Sequence, residues 1–336
     1  MELLLSIGIT SYNRIQELKR CINSIKTKYA DEIEVIVSED CSPMSEQISK
    51  MVTALKQSCH CLLRYMPNER NLGYDGNLGA IIRKSQGKYV LLMSDDDTLY
   101  DGFLDILIPF LKNEENDYGV FYSPFVYSSD KKMDRNYGKD MILDKGENSC
   151  SKHLYDSILF SGLVFKKSYV EKYDAGRFLN MNYFQVYLFL KMIFHHGGYY
   201  FSQPSVWCVG DGENAYGLSE SSGGNNVLAN RQNVLSILEF NKTLFEVIRL
   251  FDKEEGTNIF ASFEKQYSLH SYSPLSIARK SGKMFFNEYW KTLNSLDIKL
   301  YPIVHIYYFM LLFLGSNLSN KLTSLARKLL KNEKTV

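Results

Sequence analysis

Lys88-Tyr89-Val90-Leu91-Leu92-Met93-Ser94-Asp95-Asp96-Asp97 joins an apolar run to three consecutive carboxylates. The run is short and continuous, as expected of a strand buried on both faces. Carboxylates packed directly after it repel and shift one another's pKa unless something positive sits beside them. A divalent cation shared with a diphosphate would relieve the cluster, since carboxylate and phosphate oxygens suit a hard octahedral ion, Mg²⁺ or Mn²⁺. A plainer reading makes the cluster an acidic turn with a helix N-cap at Asp97 or Thr98.

The surroundings of this run set its context. Apolar stretches at residues 3–10, 33–38, 61–65 and 88–93 alternate with helix-spaced segments at 14–28, 45–59 and 76–85. That alternation predicts an α/β fold, a mostly parallel sheet flanked by helices. Ligands of such sheets bind beyond the carboxyl ends of the strands. The polar clusters fall at those ends: residues 10–14 after the first strand, 39–42 after the second and 94–97 after the fourth. Three strand ends therefore define one crevice.

Further along, residues 160–165 read as a strand and 183–195 as an amphipathic helix. Residues 128–149 carry five Lys/Arg and five Asp/Glu with few apolar anchors, which predicts a solvated loop. Residues 210–226 hold five glycines and no period. A loop of that kind is either disordered or an active-site lid. From 227 on the period is helical, over 227–251, 259–270 and 285–296. The expected division is a catalytic domain of 1–225 and a helical region of 226–336.

The tail, about 301–332, combines two signals. Residues 303–314 are strongly apolar but short of the ~20 needed to span a bilayer. Beyond them, Leu318, Leu322, Leu325 and Leu329 share a helical face, while Lys321, Arg327, Lys328, Lys331 and Lys334 face Glu333 alone. An apolar stripe with a basic flank predicts a helix lying on an anionic membrane surface, with a packed terminal helix as the alternative.

Composition narrows the classes. The chain has 336 residues, 45% of them apolar, enough for one large domain or a domain with an appendage. Thirty-nine basic against 38 acidic side chains exclude a general nucleic-acid binder, which needs a basic excess. Six scattered cysteines suit a reducing, cytoplasmic compartment. Cys59-His60-Cys61 lacks a second ligand pair and is not read as a metal site. No basic leader precedes the apolar run at residues 3–9, so no signal peptide is read there.

Ser6-Ile7-Gly8-Ile9-Thr10-Ser11-Tyr12-Asn13-Arg14 resembles the opening strand of family 2 glycosyltransferases of the GT-A fold. Val37-Ser38-Glu39-Asp40-Cys41-Ser42 is similar to the second motif of that family. Asn71-Leu72-Gly73 with Asn77 matches the third, and residues 87–97 match its DxD-type element. The likeness covers roughly residues 1–205 and is strongest to bacterial O-antigen and capsule enzymes, abequosyltransferase-like members included. It implies a GT-A sheet with a helical C-terminal extension. The activity it implies is transfer of a sugar from a nucleotide donor, UDP-linked by preference, to a saccharide or lipid-linked saccharide acceptor.

The resemblance also assigns roles. Thr10, Tyr12, Asn13 and Arg14 would line the nucleotide pocket. Asp40 would accept from the base, or else cap the following turn. Gly73 and Asn77 would admit base and ribose. Asp95 and Asp96 would hold the ribose, with Asp97 as the direct metal ligand and Asp95 assisting. Inverting members place a carboxylate base at the start of the helix after the acceptor strand. Here that stretch is Asn180-Met181-Asn182-Tyr183-Phe184-Gln185. An amide cannot take a proton from a sugar hydroxyl at neutral pH. The base is therefore sought elsewhere, with Asp211 and Glu213 as candidates and Gln185 as an acceptor-orienting group. His195 and His196 are candidate metal ligands, or residues that answer the helix dipole.

The expected setting is the cytoplasmic, inner face of the plasma membrane, with the C-terminal helices as a surface for self-association. The alternatives are a catalytically impaired relative serving as an assembly partner in polysaccharide synthesis, and a sugar-phosphate nucleotidyltransferase. The latter needs a glycine-rich phosphate loop after strand one, and no glycine follows Gly8 there.

Overall fold

The computed structural model describes residues 3–210 and 227–332. Its main sheet has eight strands in the order β3-β2-β1-β4-β10-β6-β11-β9. In chain order the strands are β1 (Leu5–Ser11), β2 (Ile33–Glu39), β3 (Leu62–Tyr65), β4 (Tyr89–Ser94), β5 (Thr98–Leu99) and β6 (Val120–Tyr122). Then come β7 (Phe125–Tyr127), β8 (Met133–Asp134), β9 (Met141–Leu143), β10 (Val164–Lys166), β11 (Gly198–Tyr200) and β12 (Val206–Cys208). Strands β1 to β4 are mutually parallel, β10 runs antiparallel between β4 and β6, and β11 is parallel to β6. A second sheet has four strands in the order β5-β12-β7-β8.

The expected α/β class holds: the sheet is mixed, mostly parallel and flanked by helices. β2 is buried along its whole length and β1 at every residue but Thr10. Their near-continuous apolar runs reflect cover on both faces. The flanking helices are α1 (Ile15–Ser24), α2 (Ser45–Leu55), α3 (Gly73–Lys84), α4 (Phe103–Lys112), α5 (Glu147–His153), α6 (Lys167–Val170) and α7 (Phe184–His196). α1 and α2 bury Leu18, Ile22, Ile48 and Val52 in the core that β1 and β2 share. A Cβ on Gly8 would stand 2.1 Å from Ile81 Cγ2, so this glycine lets α3 close onto the sheet.

Three expectations change. Thr98–Leu99 is a strand, and the next helix starts at Phe103 behind a left-handed Gly102, so neither Asp97 nor Thr98 caps it. Residues 128–149 are not one solvated loop: β8 pairs with β7, β9 pairs with β11, and Arg135 is buried between them and the core. Finally, the strand expected over 160–165 begins only at Val164, because Phe160 to Leu163 form a turn anchored on Leu92.

The chain splits into two compact units, Met1–Ser221 with Lys253–Thr257, and Ser222–Asp252 with Asn258–Val336. Helices follow from α8 (Val227–Glu255) through α9 (Ile259–His270), α10 (Tyr272–Lys280) and α11 (Lys283–Asn294) to α12 (Pro302–Asn332). Phe263, Leu275, Phe286, Tyr289 and Leu293 form a core within the second unit. In α12 the backbone is non-helical at Gly315. Here the apolar stretch proves longer than the 12 residues read from sequence. Pro302–Thr323, 22 residues, is long and apolar enough to cross a membrane by length and composition, and little of it is buried.

Candidate active site

The carboxyl ends of β1, β2 and β4 bring the first two motifs and the carboxylate cluster together. Parallel register sets Thr10 beside Ser94 and Ser11 beside Glu39. Tyr12 N donates to Asp95 Oδ2 at 3.3 Å, and Arg14 Nη1 donates to Asp95 Oδ1 at 2.9 Å. The same guanidinium nitrogen stands 3.1 Å from Asp96 Oδ2. Arg20 holds the Asp96 carbonyl, and Ser94 Oγ donates to Asp96 Oδ1. The positive charge that the cluster demanded is thus partly built in.

It is only partly met. Asp95 and Asp97 are 3% and 2% exposed. Burial pushes the Asp95 carboxyl up to about 7 although Arg14 pulls it down. Burial and the neighbouring Asp96 charge push Asp97 to about 7 as well. Asp97 Oδ2 accepts from Ser161 Oγ at 2.6 Å and Oδ1 from Val209 N at 3.2 Å. Two buried, under-neutralised carboxylates suit a hard divalent cation. Among the described residues no three His, Cys, Asp or Glu side chains form a complete cage. The arrangement fits an ion whose remaining ligands come from a phosphate chain.

Asp40 stands at the same sheet edge, directly after β2. Its Oδ1 accepts from Asn68 Nδ2 and from Leu72 N, both at 2.9 Å, and burial raises its pKa against those bonds. In the turn that follows, Ser42 N donates to Glu39 Oε1 at 2.9 Å, and α2 begins at Ser45 behind Met44. Asn13 and Cys41 take left-handed φ of 60° and 55° where β1 and β2 end. Non-glycine residues persist there only when the surroundings over-determine them. Asn13 Oδ1 indeed accepts from Met44 N across that gap.

Gly73 needs its φ of +70°, whereas a Cβ there would meet nothing within 4 Å. Within the protein itself, conformation is what requires a glycine here. Asn77 is 4% exposed and bonds Ser38 O and Asn68 Nδ2. It braces Asp40 through Asn68, whose Nδ2 reaches both side chains. Asn68, missed in the sequence, joins the two.

The β10-β6-β11 end of the same edge carries a buried polar cluster. Asp156 Oδ2 accepts from Tyr122 OH and Tyr137 OH, each at 2.8 Å, and lies 2.9 Å from His153 Nδ1. Gln185 is 1% exposed, and its Nε2 donates to Ile158 O at 3.3 Å. Its Oε1 is buried without a partner among the described residues. Asp75 from α3 accepts from Asn182 N at 2.8 Å and Phe184 N at 2.9 Å, capping α7. Its place in the first turn of α3 gave no sign of that distant helix. Asp211 and Glu213 lie outside the described residues.

His195 and His196 stand at the opposite, amino edge of the sheet, just before β11 begins. His195 Nε2 lies 3.0 Å from Glu255 Oε1, and His196 stacks on Tyr169 at 3.7 Å. Their place at the far edge separates them from the carboxylate cluster and corrects the candidate ligand role. Cys59 and Cys61, 3.1 Å apart at sulfur, are likewise at the amino end of β3.

Comparison with known proteins agrees with this geometry. The chain is 25% identical over 241 residues to abequosyltransferase RfbV of Salmonella typhimurium, covering 63% of this chain and 68% of that protein. It is 24% identical over 339 residues to the GalNAc(5)-diNAcBac-PP-undecaprenol beta-1,3-glucosyltransferase of Campylobacter jejuni, covering 98% and 99%. Among solved structures, S. aureus TarS 1-349 in complex with UDP superposes with a TM-score of 0.52 at 12% identity, over 92% of this chain and 91% of that one. The mannosyltransferase PcManGT from Pyrobaculum calidifontis, in complex with GDP-Man and Mn2+, gives 0.50 at 13% identity, over 94% and 87%. These two likenesses concern the fold. Residues 6–174 match the family described as glycosyl transferase family 2, half of the chain, and the protein is a glycosyltransferase belonging to that family.

Proposed function

We propose that the chain moves a sugar from a nucleoside diphosphate donor, UDP-linked by preference, to a saccharide or lipid-linked saccharide acceptor in bacterial surface-polysaccharide synthesis. The observation that carries the donor half is the meeting of Tyr12, Arg14, Asp40 and Asp95–Asp97 at one sheet edge. Thr10, Asn13, Gly73 and Asn77 shape that pocket. Family membership sets the nucleotidyltransferase reading aside.

Asp40, preset by Asn68 and Leu72, accepts an N–H from the base edge. Arg14 orders Asp95 and Asp96 beside the ribose and the diphosphate. Asp97 and Asp95 would hold Mn²⁺ or Mg²⁺, which supplies charge to neutralise the departing nucleoside diphosphate. The acceptor hydroxyl must lose its proton, and no carboxylate occupies the start of α7 for that task. Asp211 and Glu213 remain the proposed sources.

The catalytic domain is taken as 1–225 and the helical region as 226–336. On α12, Ile306, Phe309 and Phe313 are exposed along one face, followed by Leu318, Leu322 and Leu325. With the basic residues beyond them this supports attachment to the inner face of the cytoplasmic membrane. The relative acting on an undecaprenol-linked saccharide supports a lipid-linked acceptor. The same face is the proposed surface for any self-association.

The test is a thermal shift titration of UDP, CDP and GDP, each with and without Mn²⁺. UDP with Mn²⁺ is expected to stabilise most. Absence of metal-dependent stabilisation by every nucleotide would sink the donor-site assignment. Hydrolysis of a nucleotide-sugar panel then identifies base and sugar together.

A further inference from the structure

We infer that Arg135 is a positioning residue for Asp97, acting through both chain segments that hold that carboxylate. This rests on the reading of Asp97 as the metal-facing carboxylate.

Asp97 is gripped from two sides. Ser161 Oγ reaches Oδ2, and Val209 N reaches Oδ1. Ser161 Oγ also accepts from Ser94 N at 3.1 Å, so this hydroxyl is oriented to give its proton to Asp97. Both grips come from outside the carboxylate motif, on chain segments 60 and more residues downstream.

Arg135 touches the supports of both. Its Nη1 donates to Asp156 O at 2.8 Å and its Nη2 to Leu159 O at 3.2 Å. With Gln185 Nε2 on Ile158 O, three side-chain donors tie down the stretch that leads into Ser161. The far end of that stretch is fixed to β4, through Gly162 N on Leu92 O at 2.9 Å. Gly162 takes a φ of +86°, and a Cβ there would stand 2.5 Å from Ser205 Oγ, so the turn also abuts the start of the β12 segment that leads to Val209.

The guanidinium lies 4.6 Å over the Phe125 ring. Phe125 belongs to β7, whose parallel partner β12 runs from Val206 into Cys208 and Val209. One planar group thus sits between the arm that carries Ser161 and the sheet that carries Val209. The position itself is forced: Arg135 has a left-handed φ of 54°, and its carbonyl accepts from Tyr200 OH at 2.7 Å.

Burying a guanidinium is costly, and burial lowers the pKa of Arg135, opposed first by the Asp156 charge. A residue serving only to fill the space could be apolar. The fork geometry explains why it is not, since two carbonyls three residues apart need two rigid donors. Outer-sphere partners of this kind fix ligand orientation, and their loss typically weakens metal binding about 10–100-fold.

The experiment compares Arg135→Met, Arg135→Lys and Ser161→Ala with the unaltered full chain. UDP binding is measured by calorimetry with Mn²⁺ and again in EDTA, and amide exchange is followed at residues 158–163 and 207–209. Arg135→Met should weaken the Mn²⁺-dependent binding about 10-fold or more and leave metal-free binding within about 2-fold. Ser161→Ala should shift it the same way, and Arg135→Lys should fall between. Faster exchange at both arms should accompany the loss. A variant with a lower melting temperature but an unchanged Mn²⁺ dependence would overturn the inference. Should Arg135→Met not fold, Arg135→Lys and Ser161→Ala carry the same comparison. If the unaltered chain shows no Mn²⁺ dependence, the donor-site assignment fails on its own. Exchange at the two arms then decides the clasp, and unchanged protection in Arg135→Lys rejects it.

Discussion

The two halves of the crevice edge solve the problem of holding polar groups in opposite ways. Along β2-β1-β4, each functional side chain sits within a few residues of a buried parallel strand, and register brings those strand ends together. Along β10-β6-β11, the polar groups come from a turn, a left-handed residue and a helix start spread between Tyr122 and Tyr200. The first half is a set of motifs with under-neutralised charge. The second is a network whose hydrogen bonds run within the protein, with Gln185 Oε1 and Arg135 Nε left as its buried exceptions among the described residues. Open charge invites a ligand, and closed networks hold shape.

The largest expected effect tests the first half. Asp97→Ala should lower sugar transfer by on the order of 10²–10³-fold, the usual scale for removing a group that stabilises developing charge. Steady-state transfer with saturating donor checks it. Full turnover in this variant would mean that the open charge serves no leaving group.

A pH titration sharpens the same point. Asp95 and Asp97 stand at about 7, against an ordinary 3.8. In the ion-free protein the folded chain keeps protons that the unfolded chain has released between about pH 4 and 7. Their contribution to stability is complete below about pH 4 and is lost as pH rises through 7. Ion-free protein should therefore melt lower at pH 7.5 than at pH 5.5, as far as these groups decide it. Stabilisation by Mn²⁺ should grow over the same window and level off above 7, because the ion displaces the protons. Asp97→Asn should flatten both trends in calorimetry.

This contrast also explains what the sequence made legible. The four strands and their carboxyl-end clusters could be read because each is local: an apolar run followed at once by polar residues. Asn68 and Asp75 could not, since each acts on a group that neighbours it only after folding. Residues 128–149 looked like a solvated loop because charged residues outnumber apolar anchors there. Arg135 is nonetheless buried, stabilised by backbone carbonyls and an aromatic face that no local pattern signals. The two-residue strand β8 owes its existence to pairing with β7. Gln185 is the instructive middle case: the missing carboxylate was visible, but the amide's hold on Ile158 O was not.

Gln185→Glu tests whether the second half is a network or an empty base position. If only a carboxylate were missing, the variant would raise transfer. The bond to Ile158 O needs a donor, however, and an ionised carboxylate has none. Facing a buried carbonyl with a buried charge should cost about 1–3 kcal/mol of stability, read as a lower melting temperature with no gain in turnover. A rise in transfer would show that this half is a working base site with its acid removed.

The smallest expected effect falls on the residue that joins the halves. Asp75 stands on α3, in the donor half, and its two oxygens cap α7, in the other. Burial raises its pKa against the backbone bonds it accepts. Asp75→Asn keeps the shape and one acceptor oxygen but turns the second into a donor facing an N–H. One backbone bond is lost, worth about 1 kcal/mol, and for a unit of this size that is a melting shift of about 2–4 °C. The informative reading is kinetic. Since α7 starts beside Gln185 and the segment it ties, loosening its cap should raise KM for the acceptor and leave KM for the donor unchanged. Equal changes in both would mean that α3 transmits the disturbance to its own half, and that the two halves are one mechanical unit despite their different construction.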